Sequence, residues 1–181
     1  MRCAVFLDRD GVLNEASVID GRPYPPVSVD QLRLFPDVRD ALGRLRNAGF
    51  LLIVATNQPD VSRGTLRREA VDEINAKIGE ALPIDEFFVC WHDDADACPC
   101  RKPRPGMLFA AAAKHEIDLS RSFMVGDRWR DIEAGHAAGC RTIMIDRDYR
   151  ERSAQQPPHF QTTSLAEAAN WIVANSIGSC S

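Results

Sequence analysis

Short apolar runs that stop at acidic or polar residues alternate along this chain with stretches whose apolar residues recur every three or four positions. Residues 2–7 end on Leu7 and meet Asp8-Arg9-Asp10-Gly11, the pattern of a strand buried on both faces. Similar runs over 50–55, 86–91, 122–125 and 141–145 predict four more strands. Between them, Val38, Ala41, Leu42, Leu45 and Ala48 share a helical stripe that Asp37 can cap and Gly49 can stop. Leu66, Ala70, Ile74, Ile78 and Leu82 form a second stripe, with Thr65 as its cap and Pro83 just beyond. Pro105 is placed to open a helix carrying Met107, Leu108, Ala111 and Ala112, and residues 132–138 form another that Gly139 closes. Ser164 and Glu167 have capping-box spacing for a last helix. The proline-rich segment with Pro23, Pro25, Pro26 and Pro36 reads as a loop, and residues 146–163 as a surface connection. The alternation predicts an α/β fold, a parallel sheet with helices on both faces.

Composition narrows the picture only a little. The 181 residues, 45% of them hydrophobic, suit a single domain over 1–181 with a core of its own. A net charge of −4 with both signs interspersed argues against a nucleic-acid partner, and no apolar run is long enough for a membrane span. The expectation is a soluble, cytoplasmic protein, and a monomer, since no helix face offers a dimer seam.

In a sheet of this kind ligands sit beyond the carboxyl ends of the strands. The first strand delivers Asp8 and Asp10 there, the second Thr56 and Asn57, the loop after the third Lys102, and the fourth Asp127. Carboxylates with a hydroxyl and a lysine suit a magnesium ion and a phosphoryl group, which points to a small phosphorylated substrate. One of two close carboxylates can attack phosphorus while the other exchanges a proton with the leaving alkoxide and then with water. Arginines 63, 101, 104, 128 and 130 gather in the same loops, and Arg63, Arg101 and Arg128 are candidates for holding an anionic substrate, with Asn57 beside them.

Cys90, His92, Cys98 and Cys100 supply three thiolates and an imidazole within residues 90–100. Such a set fits one tetrahedral structural zinc with no open position. Arg101 and Lys102 follow directly, so a metal-tied loop would fix where both point. Asp93, Asp94 and Asp96 read as solvated loop residues. Cys3 and Cys140 adjoin strands and read as buried apolar residues, Cys180 belongs to a frayed terminus, and His115, His136 and His159 read as surface or packing residues.

The strings Phe6-Leu7-Asp8-Arg9-Asp10-Gly11-Val12-Leu13-Asn14, Thr56-Asn57-Gln58, Arg101-Lys102-Pro103 and Gly126-Asp127-Arg128-Trp129-Arg130-Asp131 resemble, in order, the motifs of the haloacid dehalogenase superfamily of phosphatases. Within it the chain is similar to the branch of heptose bisphosphate and histidinol phosphate phosphatases. The resemblance implies a three-layer Rossmann-like fold without a large cap, and a magnesium-dependent phosphatase acting through an aspartyl phosphate. It makes Asp8 the nucleophile and Asp10 the general acid and base. Magnesium would be held by the Asp8 and Asp127 carboxylates and the Asp10 main-chain carbonyl, with Asp131 supporting from behind. Thr56 and Lys102 would steady the transferred group. The branch also carries a zinc loop at this place. The segments Arg22-Pro23-Tyr24-Pro25-Pro26 and Pro59-Asp60 depart from the heptose-phosphatase pattern, while Arg63-Gly64 keeps it.

Overall fold

Ala4, Val5, Phe6 and Leu7 are all fully buried, with alternate residues feeding different layers of core. They form β1 (Ala4–Leu7), the inner strand of a sheet in a computed structural model that describes residues 1–176. β1 pairs in parallel with β4 (Leu51–Asn57) on one side and β6 (Phe123–Gly126) on the other. Outside these lie β5 (Glu86–Cys90), β7 (Arg141–Ile145) and β8 (Phe160–Thr162), giving the order β5-β4-β1-β6-β7-β8 with every pairing parallel.

Val5 and Leu7 pack with α1 (Val38–Asn47), α2 (Arg68–Ala81) and α5 (Leu165–Asn175). Ala4 and Phe6 pack with α3 (Gly106–His115) and the end of α4 (Trp129–Ala138). The α1 stripe is as expected, with Val38, Ala41, Leu42 and Leu45 buried, and each such leucine contributes about 1.5–3 kcal/mol. Among the described residues no helix is long and apolar enough to cross a membrane.

The chain runs outward from β1 to β4 and β5, then returns to the far side of β1 as β6. This reversal opens a crevice at the carboxyl ends of β1 and β6, where Asp8 and Asp127 emerge. The Asp8 amide donates to Val125 O at 2.9 Å, so the end of one strand is fixed against the other.

Local details differ from the sequence expectations. The proline-rich loop contains an antiparallel hairpin, β2 (Ser17–Ile19) and β3 (Arg22–Tyr24). Its turn is Asp20-Gly21, both at positive φ, a dipeptide well suited to a two-residue hairpin turn. Residues 146–163 are not only connection, because they end in the edge strand β8. Asp37 does not cap its own helix; its carboxylate accepts from the Ala166 amide at 3.0 Å and so ties α1 to α5. Thr65 is no cap either, since α2 begins three residues on and Thr65 bonds back to Asp60 O. Ser164 does accept from the Glu167 amide, but the Glu167 carboxylate bonds the Thr162 hydroxyl rather than completing the capping box. Cys3 and Cys140 are both buried, but Cys3 takes part in a disulfide instead of standing as a free thiol. Cys180 lies outside the described residues. His136 and His159 are ring neighbours, with centroids 5.1 Å apart, and both reach the Thr142 hydroxyl.

Candidate active site

Asp8, Lys102, Asp127 and Asp131 converge in the crevice, and all four are buried. Lys102 Nζ lies 3.0 Å from Asp8 Oδ1, 2.6 Å from Asp131 Oδ1, and donates to Ala55 O at 2.6 Å. The lysine is set by Asn57, whose side chain accepts from the Lys102 amide and donates to the Lys102 carbonyl, each at 3.1 Å. Asn57 therefore positions the lysine, and it also lines the cavity described below.

Asp8, Asp127 and Asp131 each offer a carboxylate oxygen, and these oxygens lie within 4.8 Å of one another. Both Asp127 oxygens are buried without a hydrogen-bond partner, and the Tyr149 hydroxyl faces this carboxylate without an aligned bond. Orphaned buried oxygens in an all-carboxylate set fit a hard divalent cation such as magnesium. Asp131 also accepts from the Arg128 amide at 3.0 Å, so one of its oxygens is already committed to the backbone. Close approach here depends on Gly11, at φ +84°: a Cβ on it would stand 1.8 Å from Asp127 Oδ2.

Electrostatics follow from crowding three acids in a dry crevice. Burial pushes Asp8 up to about 6, against the pull of Lys102 and with the push of Asp131 and Asp10. Burial, then the charges of Asp8 and Asp131, raise Asp127 well above the carboxylate range. Burial alone would weaken the Lys102 charge, but Asp131 and Asp8 outweigh it and hold the ammonium above its ordinary value. A bound cation would relieve the repulsion among the carboxylates.

Asp10 is arranged differently from Asp8. Its carboxylate accepts from Arg9 Nε at 3.1 and 3.2 Å, Arg9 Nη2 at 3.0 Å, Asn14 at 2.9 Å and Gln58 at 2.9 Å. The Arg9 guanidinium is itself fully buried and donates onward to Asn75. Gln58 also donates to the Thr56 hydroxyl at 3.0 Å, so one amide spans the acid and the threonine. Gln58 was not singled out from the sequence beyond its place in a motif, and only the fold shows this bridge.

At the loop 90–100, the Sγ atoms of Cys90, Cys98 and Cys100 stand 3.2–3.7 Å apart and His92 Nδ1 lies 3.4 Å from Cys100 and 3.8 Å from Cys90. With Zn–S near 2.3 Å, tetrahedral geometry places sulfurs about 3.8 Å apart, close to this spacing. The four ligand atoms form one group, which excludes Asp93, Asp94 and Asp96 from it. Those aspartates are not simply solvated. Asp93 takes a two-pronged contact from Arg63 at 2.7 and 2.8 Å, and Asp94 binds Arg101 at 2.8 Å and Arg130 at 3.0 and 3.2 Å. Arg101 also donates to His92 O, so its guanidinium is held against the loop 90–100. Arg128 is paired with Glu151, and Arg104 donates to Cys98 O.

Asp8, Asp10, Thr56, Lys102, Asp127 and Asp131 border one open cavity of about 460 Å³ with Arg63, Arg101, Arg128 and Arg130, whereas the cysteine and histidine cluster lies outside its lining. Its walls include Arg22 and Tyr24 from the hairpin, which the sequence marks only as part of a segment departing from the heptose-phosphatase pattern, and Arg150, Glu151 and Arg152 from the segment before β8, which it does not mark as site residues. The Asp20-Gly21 dipeptide was the available signal for the first pair; nothing local marked the second group.

A family model described as HAD-hydrolase-like matches residues 99–168, the stretch that carries Lys102, Asp127 and Asp131. The chain is 34% identical over 193 aligned residues to the D-glycero-D-manno-heptose-1,7-bisphosphate 7-phosphatase of Thermosynechococcus vestitus, covering 94% of this chain and 95% of that one. It belongs to the HAD-like phosphatases. A second family relative, the D-glycero-beta-D-manno-heptose-1,7-bisphosphate 7-phosphatase of Bordetella bronchiseptica, is 36% identical over 146 residues, 78% of this chain and 79% of the relative. Among solved HAD-like structures, the D,D-heptose 1,7-bisphosphate phosphatase of B. bronchiseptica complexed with magnesium and phosphate superposes with a TM-score of 0.84 at 30% identity, over 96% of this chain and 99% of that one. The family accounts for the parallel sheet.

Proposed function

We propose that this chain is a magnesium-dependent phosphatase that removes the 7-phosphate of D-glycero-D-manno-heptose 1,7-bisphosphate by way of a phosphorylated Asp8. The observation that carries the reading is the three-carboxylate cluster, with unpartnered Asp127 oxygens, next to the Lys102–Asp8 pair in one open cavity. The relatives that match nearly the whole chain direct it to the heptose substrate.

Asp8, Asp127 and the Asp10 main-chain carbonyl would hold magnesium, with Asp131 behind them. When bound, the ion offsets negative charge on the phosphoryl oxygens and the acids around them. Asp8 attacks phosphorus, and the bond to the sugar oxygen breaks as Asp10 gives its proton to that oxygen. Asp10 then takes a proton from water, the water oxygen bonds to phosphorus, and the bond to Asp8 breaks to release inorganic phosphate. The donors around the Asp10 carboxylate fix where it stands for both steps. Lys102 stays charged beside Asp8 and, with the Thr56 hydroxyl, faces the transferred group. Arg63, Arg101 and Arg128 shape the wall and reach substrate only by exchanging a carboxylate partner for it. The zinc loop sets Arg101 and, through the chain, Lys102. We also take the protein to be a cytoplasmic monomer acting on a small molecule, the net charge of −4 speaking against a nucleic-acid partner.

The test is kcat/KM with magnesium for both anomers of the heptose bisphosphate, histidinol phosphate and simple sugar phosphates. A preference of about 100-fold for one heptose anomer, some 2.7 kcal/mol of transition-state discrimination, supports the proposal. Preference for histidinol phosphate, or no magnesium-dependent turnover, overturns it.

A further inference from the structure

The cavity wall is rich in arginine, but nearly all of that charge is already matched. Arg63 pairs with Asp60 and Asp93, Arg101 and Arg130 with Asp94, Arg128 with Glu151, and Arg152 with Glu133. Arg22 and Arg150 are different. Both line the cavity and both are exposed, and among the described residues neither guanidinium has an acidic partner or a hydrogen bond. Two uncompensated guanidinium groups form a positive site in a cavity whose other arginines are paired with acids.

Their placement is fixed by a joint between two segments that are distant in the sequence. The Arg150 amide donates to Gly21 O at 2.9 Å, which fastens the segment before β8 to the tip of the β2–β3 hairpin. Gly21, at φ +77°, is needed at this joint, because a Cβ there would lie 2.6 Å from Arg150 Cγ and 2.8 Å from its Cδ. Arg22 follows Gly21 and begins β3, so the joint brings both guanidinium groups to the same rim. Pro23, Tyr24 and Pro25 continue the wall from there toward the catalytic carboxylates.

We propose that Arg22 and Arg150 form the subsite for the second anionic group of the substrate, the phosphate that stays on the product. The inference rests on the phosphatase reading above and adds which residues select a bisphosphate over a monophosphate. Guanidinium groups suit a phosphate because each can give two aligned donors, and the site costs nothing to vacate since no acid must be displaced.

The experiment compares the magnesium-dependent kcat/KM for the heptose 1,7-bisphosphate with that for the heptose 7-phosphate, in the wild type and in the R22A/R150A double variant. The bisphosphate-to-monophosphate ratio should fall by about tenfold to a hundredfold, with the change in KM, as expected for lost charge-assisted hydrogen bonds. R22K/R150K, which keeps the charges but not the forked donors, should recover part of the ratio. Gly21→Ala should lower the ratio with both arginines present, because the added methyl displaces the Arg150 stem. A double variant that keeps the wild-type ratio overturns the subsite while leaving the phosphatase intact. A wild type that hydrolyses neither compound removes both readings.

Discussion

Lys102 Nζ stands 3.0 Å from the Asp8 carboxylate, and both groups are buried. The contact has two consequences. It keeps a positive charge where phosphoryl oxygens would sit, and it partly offsets the burial and neighbouring acids that still leave Asp8 raised to about 6. Lys102→Met should therefore lower kcat by about 10²–10³, the cost of removing one preorganised electrostatic contact. It should also destabilise the fold by about 3–5 kcal/mol at neutral pH, because Asp8 and Asp131 lose their shared cation. Urea unfolding at pH 5 and pH 8 checks the cause: protonation of the stranded acids makes the loss smaller at pH 5.

Asp10 and Gln58 should separate chemistry from positioning. Asp10→Asn removes proton transfer and should cost about 10²–10⁴ in kcat. Gln58→Leu leaves the acid in place but breaks the bridge to Thr56, and should cost about tenfold to a hundredfold. An activated aryl phosphate distinguishes them, because its leaving group needs no proton from Asp10, so phosphorylation of Asp8 should recover in Asp10→Asn and not in Gln58→Leu.

Magnesium and pH should be linked in a definite direction. In the metal-free protein Asp8 is raised to about 6 and Asp127 is raised further, so the stability they contribute is full below about pH 4 and is lost as pH rises through the raised values. Magnesium takes the protons' place and offsets that loss. The Tm gain on adding magnesium should thus be small at pH 5 and grow toward pH 8; an equal gain at both would contradict the carboxylate assignment.

Zinc removal should reach the active site through Arg101. Metal analysis should find zinc in the purified protein, and Cys98→Ser should lower zinc content together with kcat/KM, by about tenfold to a hundredfold. Thiol labelling gives an independent check. Burial holds Cys140 up at about 12, so at pH 8 only about one molecule in 10⁴ carries its thiolate and it stays unlabelled. Cys98 and Cys100 should become reactive only after chelation.

The layout of the sheet could be read from the chain because its signals are local. Buried strands appear as unbroken apolar runs, and β1, β4 and β6 each end at the residues that the site uses. The cysteine and histidine spacing was equally direct, as all four ligands lie in one loop. What could not be read depends on contacts between distant segments. Asp37 looked like a cap for α1 and serves α5, because only the packed helices bring the Ala166 amide to it. The three arginines chosen from adjacency to motifs are matched by acids from other parts of the fold, while Arg150 lay in a stretch with no periodicity at all. Asp20-Gly21 is the exception, a hairpin signal that was present in the sequence and overlooked among the prolines.

The most direct test concerns the covalent step. Arg9 separates Asp8 from Asp10, and trypsin, which does not cut Arg22-Pro23, places them on different peptides once the Cys3 disulfide is reduced, residues 3–9 and 10–33. Asp10→Asn, which slows release of the phosphoryl group, can be mixed with magnesium and the heptose bisphosphate, quenched in acid, digested and examined by mass spectrometry. The account predicts a phosphoryl group on peptide 3–9, absent when Asp8→Asn is combined with it. A phosphoryl group on another peptide, or turnover that persists in Asp8→Asn alone, would contradict it.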